Sequence, residues 1–220
     1  MELYRTIRAI RARRAALRQR LRNELSAKSI DESCIPSYCH GNVVASAVAW
    51  WRLLTACRLY KKYARMDEIL DFGASTGELL SLLGGAFKKY HFIEKESILA
   101  SELAAEHADA VRKELSRLQK MTYSAIFCLD SLEHNTDIES IICRLRDALR
   151  ADGVLIVSGP TENLLYKVGR FIAGFDGHYH RSNIFEIEEL LQSSFELREK
   201  IIGPIFLPLF SVSVWKLKGK

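Results

Sequence analysis

The stretch Ile69-Leu70-Asp71-Phe72-Gly73-Ala74-Ser75-Thr76-Gly77-Glu78-Leu79-Leu80 decides the fold. An apolar strand over 68–72 runs into D-x-G-x-S-x-G, and the turn opens directly into a helix predicted over 76–83, which Gly84-Gly85 stops. Glycines let such a turn approach a ligand closely and adopt left-handed dihedrals. The helix start offers unpaired N–H groups to a carboxylate or phosphate. Many α/β proteins need a glycine turn for geometry alone, so the turn by itself says little. The acid that follows says more. Residues 90–93 read as the next strand, closed by Glu94, seventeen residues beyond Gly77. A carboxylate there can accept two hydrogen bonds from ribose hydroxyls. Turn and acid, in consecutive strand–helix units, indicate a ligand with a ribose and a charged group.

Working outward, a helix is expected over 97–107. Residues 110–113 are either a third strand or a continuation of that helix. Residues 124–129 (S-A-I-F-C-L) are a strongly apolar fourth strand. A helix over 138–149 leads through Ala151-Asp152-Gly153 into a strand over 154–158. Asn183 caps a later helix, with Glu186 at capping-box spacing and Ile187, Leu190 and Leu191 as its apolar residues. Two strands follow, 195–202 and 210–217. The loop G-P-I-F-L-P-L between them leaves no room for a crossover helix, so they should pair antiparallel. The fold class is therefore α/β: a Rossmann-like, doubly wound, mostly parallel sheet with a C-terminal antiparallel strand pair and N-terminal helices.

The front of the chain differs. A helix over 3–28 carries Tyr4, Ile7, Ile10, Leu17, Leu21 and Leu25 at helical spacing, with arginines on its other faces. A linker over 29–42 and a second helix over 43–63 follow. Residues 1–28 hold nine Lys/Arg against two Glu, a net +7, so the rest of this +5 chain is at −2. The basic helix suits an anionic membrane surface, RNA, or a solvated face packed on the protein's own body. The division expected is a helical extension over 1–66 and a ligand-binding domain over 67–220. At 220 residues, 48% hydrophobic and 27% charged, the chain is a globular protein of one domain with an appendage. The longest apolar runs are broken by Arg52 and by Pro204 and Pro208, and arginines fill the region where a signal core would lie. A cytoplasmic protein, with peripheral membrane contact through the basic helix as an option, is expected. Five cysteines point to reduced thiols, and Cys34, Cys39 and His40 lack a fourth ligand, so no metal is expected.

The turn is neither G-x-G-x-x-G nor a P-loop G-K-[ST]. Its spacing resembles motif I of class I S-adenosylmethionine-dependent methyltransferases. Leu129-Asp130-Ser131-Leu132-Glu133-His134 is similar to the segment after strand four in the ubiquinone-biosynthesis-type, type 11-like branch of those enzymes. The stretch 145–160 resembles that branch's helix, turn and strand five, and Gly177-His178 its G-H segment. The likeness spans about 67–220. It implies S-adenosylmethionine as cofactor. Asp71 would reach the methionine amino group, and Gly73, Ser75 and Gly77 would pass beneath the methionine moiety. Glu94 would hold the ribose, Glu114 with Leu115 would approach the adenine, and Leu129 and Asp130 would line the methyl-donor pocket. Ser75 replaces the usual middle glycine.

Methyl transfer needs orientation and, for a hydroxyl acceptor, a base near neutral pKa. His178 is the first candidate, on the acceptor side by resemblance, and His134 the second. The function expected is O- or N-methylation of a small-molecule or lipid-linked acceptor. The alternatives are an RNA methyltransferase anchored by the basic helix, or a non-catalytic partner protein of the same fold. The N/D-P-P-Y/F motif common in base-amine methyltransferases is missing after strand four.

Overall fold

In the computed structural model, which describes residues 2–26, 33, 35–161, 183–204 and 208–219, seven strands form one sheet. They are β1 (Glu68–Phe72), β2 (Lys89–Ile93), β3 (Val111–Arg112), β4 (Tyr123–Leu129), β5 (Leu149–Pro160), β6 (Phe195–Gly203) and β7 (Phe210–Leu217). The order across the sheet is β3-β2-β1-β4-β5-β7-β6. The first five run parallel, and β7 lies antiparallel between β5 and β6. Strand order reverses between β1 and β4. In open parallel sheets the crevice outside the carboxyl ends at such a reversal is where ligands bind.

The strands are apolar on both faces because helices cover both. Ile69, Phe127, Ile156 and Val214 face one side, and Leu70, Ile126, Leu155 and Trp215 the other, as the two-residue period of a strand requires. The first side packs against Ile10 of α1 (Glu2–Leu21), Leu53 and Tyr60 of α3 (Val43–Tyr63), Leu79 of α4 (Glu78–Leu83) and Leu103 of α5 (Ser97–Glu106). The second packs against Ile141 and Leu145 of α6 (Ile138–Ala148) and Ile187 and Leu191 of α7 (Ile184–Leu191). Each such side chain, fully buried, contributes about 1.5–3 kcal/mol. Asn42 starts α3 by accepting from the Val44 and Ala45 amides at 2.9 and 3.3 Å.

Several local expectations shift. α1 ends at Leu21, short of the expected 28. The expected linker contains a one-turn helix, α2 (Ile35–Tyr38), with Ile35 and Tyr38 buried. α4 begins at Glu78, two residues late, because Gly77 takes a left-handed φ of 82°. Residues 111–112 do form a strand, pairing His91 with Val111 and Phe92 with Arg112. β5 starts at Leu149, and Ala151-Asp152-Gly153 is a bulge between the pairs Tyr123–Leu149 and Ala125–Val154. The stretch 164–175 and the loop residues 205–207 lie outside the described residues.

Candidate functional site

The glycine turn leaves β1 at Asp71 and Phe72 and is tied to the end of β2. The amides of Gly73 and Ala74 both donate to the Ile93 carbonyl, at 2.9 and 3.2 Å. Gly73, Ser75 and Gly77 have φ of 79°, 48° and 82°. Gly73 has a second reason to lack a side chain: a Cβ there would fall on the Cβ of Ser131, at the carboxyl end of β4. Ser75 holds its unusual dihedral with a side-chain bond, its hydroxyl donating to the Ser33 carbonyl at 2.8 Å. The non-glycine residue in this turn thus fastens the chain before α2 over the site.

Glu94 receives the Ser75 amide on Oε2 and the Glu96 amide on Oε1, each at 2.8 Å. A carboxylate has about four acceptor positions, so each oxygen keeps one for a further donor. Burial raises the Glu94 pKa, against the opposing pull of the backbone amides. Asp71 is buried and accepts the Tyr90 hydroxyl. Burial pushes its carboxyl up to about 7; Glu78 and Glu94 push the same way, and the Tyr90 hydrogen bond opposes them. A buried carboxyl poised near neutrality ionises readily, releasing its proton to water, when a cation comes beside it.

These groups open on a cavity of about 190 Å³ at the carboxyl ends of β1, β2 and β4. Asp71, Gly73, Ser75, Glu94, Leu129, Asp130 and His134 all border it, as do Ser33, Tyr38, Leu53 and Ser131. Gly77 stands behind as the N-cap of α4, its position facing Leu103. Glu114 and Leu115 are not among the lining residues. Glu114 is exposed and paired with Arg117 at 3.0 Å, because two-residue β3 is followed by a single turn, Leu115–Arg117, that carries the acid outward. His178 lies outside the described residues.

The sequence reading missed Arg52. It is a buried cation on α3, ion-paired with Asp130 and lying 4.2 Å over the Phe210 ring. Asp130, at φ 50°, also accepts from the Ser158 hydroxyl at 3.1 Å. A cation inside an apolar helix run was the visible sign. What it pairs with is 78 residues away.

The sequence matches the model of the methyltransferase domain family over residues 8–194. The chain belongs to that family: it is a class I S-adenosylmethionine-dependent methyltransferase, an enzyme whose cofactor is S-adenosylmethionine. Among curated proteins none matches. Solved structures share the fold. Magnesium protoporphyrin IX methyltransferase from Synechocystis, with bound S-adenosylhomocysteine, superposes with a TM-score of 0.67 at 16% identity, covering 91% of this chain and 99% of that one. The PH0226 protein from Pyrococcus horikoshii gives 0.65 at 14%, covering 83% and 96%. The N-methyltransferase NodS from Bradyrhizobium japonicum gives 0.60 at 12%, covering 79% and 98%.

Proposed function

We propose that the cavity at the ends of β1, β2 and β4 holds S-adenosylmethionine and that the acceptor is a small or lipid-linked molecule methylated on oxygen or nitrogen. One observation carries this reading: Asp71, the turn residues 73–75 and Glu94, distant from Leu129 and Asp130 in sequence, border one cavity at the reversal of strand order. The chemistry of the residues fits the group. Asp71 offers a carboxylate to an ammonium, Glu94 offers free acceptor positions to two hydroxyls, and the turn leaves no side chain at Gly73. Gly77 shapes the turn from behind. Leu129 and Asp130 bound the methyl-donor side, and Glu114 and Leu115 keep an adenine-side role only if the chain after β3 moves inward. The cofactor's sulfonium supplies the activated methyl group. The protein orients the two partners, excludes water and takes a proton where the acceptor is a hydroxyl. His134, which borders the cavity, is our candidate for the last, with His178, the first candidate from the sequence, kept beside it. Residues 1–66 serve as a helical extension to a cofactor-binding domain at 67–220.

RNA as acceptor is the second reading, favoured by Arg5, Arg8 and Arg22, which stand exposed on and just beyond α1. The same arginines suit an anionic membrane surface. Among the described residues no helix is long and apolar enough to cross a membrane. The test is transfer of a labelled methyl group into a whole-cell extract at limiting S-adenosylmethionine, with the weakly binding Glu94→Ala as the control. Label in the organic phase or in small polar products supports the first reading, label in nuclease-sensitive material supports the second, and equal labelling by wild type and Glu94→Ala contradicts both.

A further inference from the structure

Position 14 lies four residues after Ile10 and three before Leu17, so it shares the buried stripe of α1 and not its solvent faces. Arg14 is only 2% exposed. Its Nε donates to Glu78 Oε1 at 2.5 Å, its Nη1 to Glu106 Oε2 at 2.7 Å and its Nη2 to the Thr76 carbonyl at 2.6 Å. Thr76, fully buried, donates its own hydroxyl to the same Glu78 oxygen at 2.6 Å. Two of these three acceptors belong to the segment 76–78 that ends the glycine turn, and Glu78 borders the cavity.

We propose that Arg14 is a positioning residue of the cofactor turn, through which α1 holds the segment 76–78 and so fixes the geometry in which the cofactor is bound. This rests on the reading that the cavity holds S-adenosylmethionine. The reason is electrostatic as well as geometric. Burial disfavours the Arg14 charge, but Glu78 and Glu106 outweigh it and raise its pKa. Glu106 has a second partner in Arg13 at 2.9 Å. Glu78 is 3% exposed; among the described residues Arg14 is the permanent cation facing it, and the His107 imidazole, whose pKa burial lowers, is the other basic group acting on it. Removing the guanidinium would leave a buried carboxylate uncompensated beside Asp71. Among the described residues, the titratable groups acting on Asp71 are Tyr90 on β2, Glu78 on α4, Glu94 after β2, Cys57 on α3 and Cys128 on β4, none of them cationic. Asp71 would then hold its proton to higher pH, and the turn would lose the donor that pins the Thr76 carbonyl.

The experiment is calorimetric titration with S-adenosylhomocysteine between pH 6 and 9, on the full chain, with circular dichroism on every variant. The wild type should bind, and its affinity should rise through a midpoint as Asp71 ionises. Arg14→Met should remain folded, bind about tenfold or more weakly, and show that midpoint displaced to higher pH. Glu78→Gln keeps the hydrogen bonds and removes the charge, so it should move the midpoint to lower pH. This arm decides the matter should Arg14→Met fail to fold. No binding by the wild type overturns the cavity assignment and this inference with it. Wild-type binding with affinity and midpoint unchanged in a folded Arg14→Met, or with the midpoint unchanged in Glu78→Gln, overturns this inference alone.

Discussion

Asp71 sits one residue before the end of β1, buried at the border of the cavity, and its carboxyl is pushed from the ordinary 3.8 to about 7, chiefly by burial. The folded protein without ligand therefore keeps this proton over a window, roughly pH 4 to 7, in which the unfolded chain has lost it. A group that binds its proton more tightly when folded contributes stability that declines as pH rises across that window. Urea unfolding of the ligand-free protein at pH 5 and pH 7.5 should show the decline, and Asp71→Asn should flatten it. An equal slope in mutant and wild type would remove Asp71 as its source. Asp71, Gly73 and Glu94 were legible in the sequence because a strand running straight into a glycine turn, with an acid closing the next strand, dictates their placement locally. Arg14 and Arg52 were not. Arg14 looks like one more surface arginine, and Arg52 like a break in an apolar run, until the fold delivers an acid from 64 or 78 residues away. Glu114 was read as an adenine contact through its place after strand three, but a two-residue edge strand gives the following chain no direction into the cavity.

Among the elements, α7 shows a cap that the sequence spelled out. Asn183 Oδ1 accepts from the Phe185 and Glu186 amides at 2.9 and 3.1 Å, and Glu186 accepts the Asn183 amide at 3.2 Å. With Ile184, Ile187 and Leu191 buried, this short helix closes one face of the sheet. Asn183→Ala should cost about 0.5–2 kcal/mol, read as a lower urea midpoint with an unchanged m-value. No change in the midpoint would show the cap to be idle. β5 marks where periodicity failed. Ala151-Asp152-Gly153 has the composition of a turn, yet the flanking ladder to β4 is strong enough to carry the segment as a bulge. A Cβ on Gly153 would approach the Tyr123 carbonyl at 2.9 Å, so the glycine serves close packing as well as bending. α2 escaped because a four-residue helix has no period to read. Only burial of Ile35 and Tyr38 defines it.

Across the molecule, the parallel sheet and its antiparallel finish were legible because strands and helices alternate until residue 191 and then stop alternating. Strand order and the two-sided core follow from that alternation with little freedom left. The role of α1 was not legible. Charge count and arginine spacing left an anionic membrane surface, RNA and packing on the protein's own body open, and the stripe of Ile10, Arg14, Leu17 and Leu21 is buried against the rest of the chain. Arg5, Arg8 and Arg22 stand exposed, but the inner face is part of the fold. We propose one cavity as the seat of cofactor binding. The most direct measurement is calorimetric titration of S-adenosylhomocysteine into wild type and Glu94→Ala. A hydrogen bond from a ribose hydroxyl to a carboxylate contributes roughly 1.5–3 kcal/mol, so losing even one should make Glu94→Ala bind at least about tenfold more weakly while staying folded. Equal affinity in the two proteins would contradict the placement of the cofactor at the end of β2.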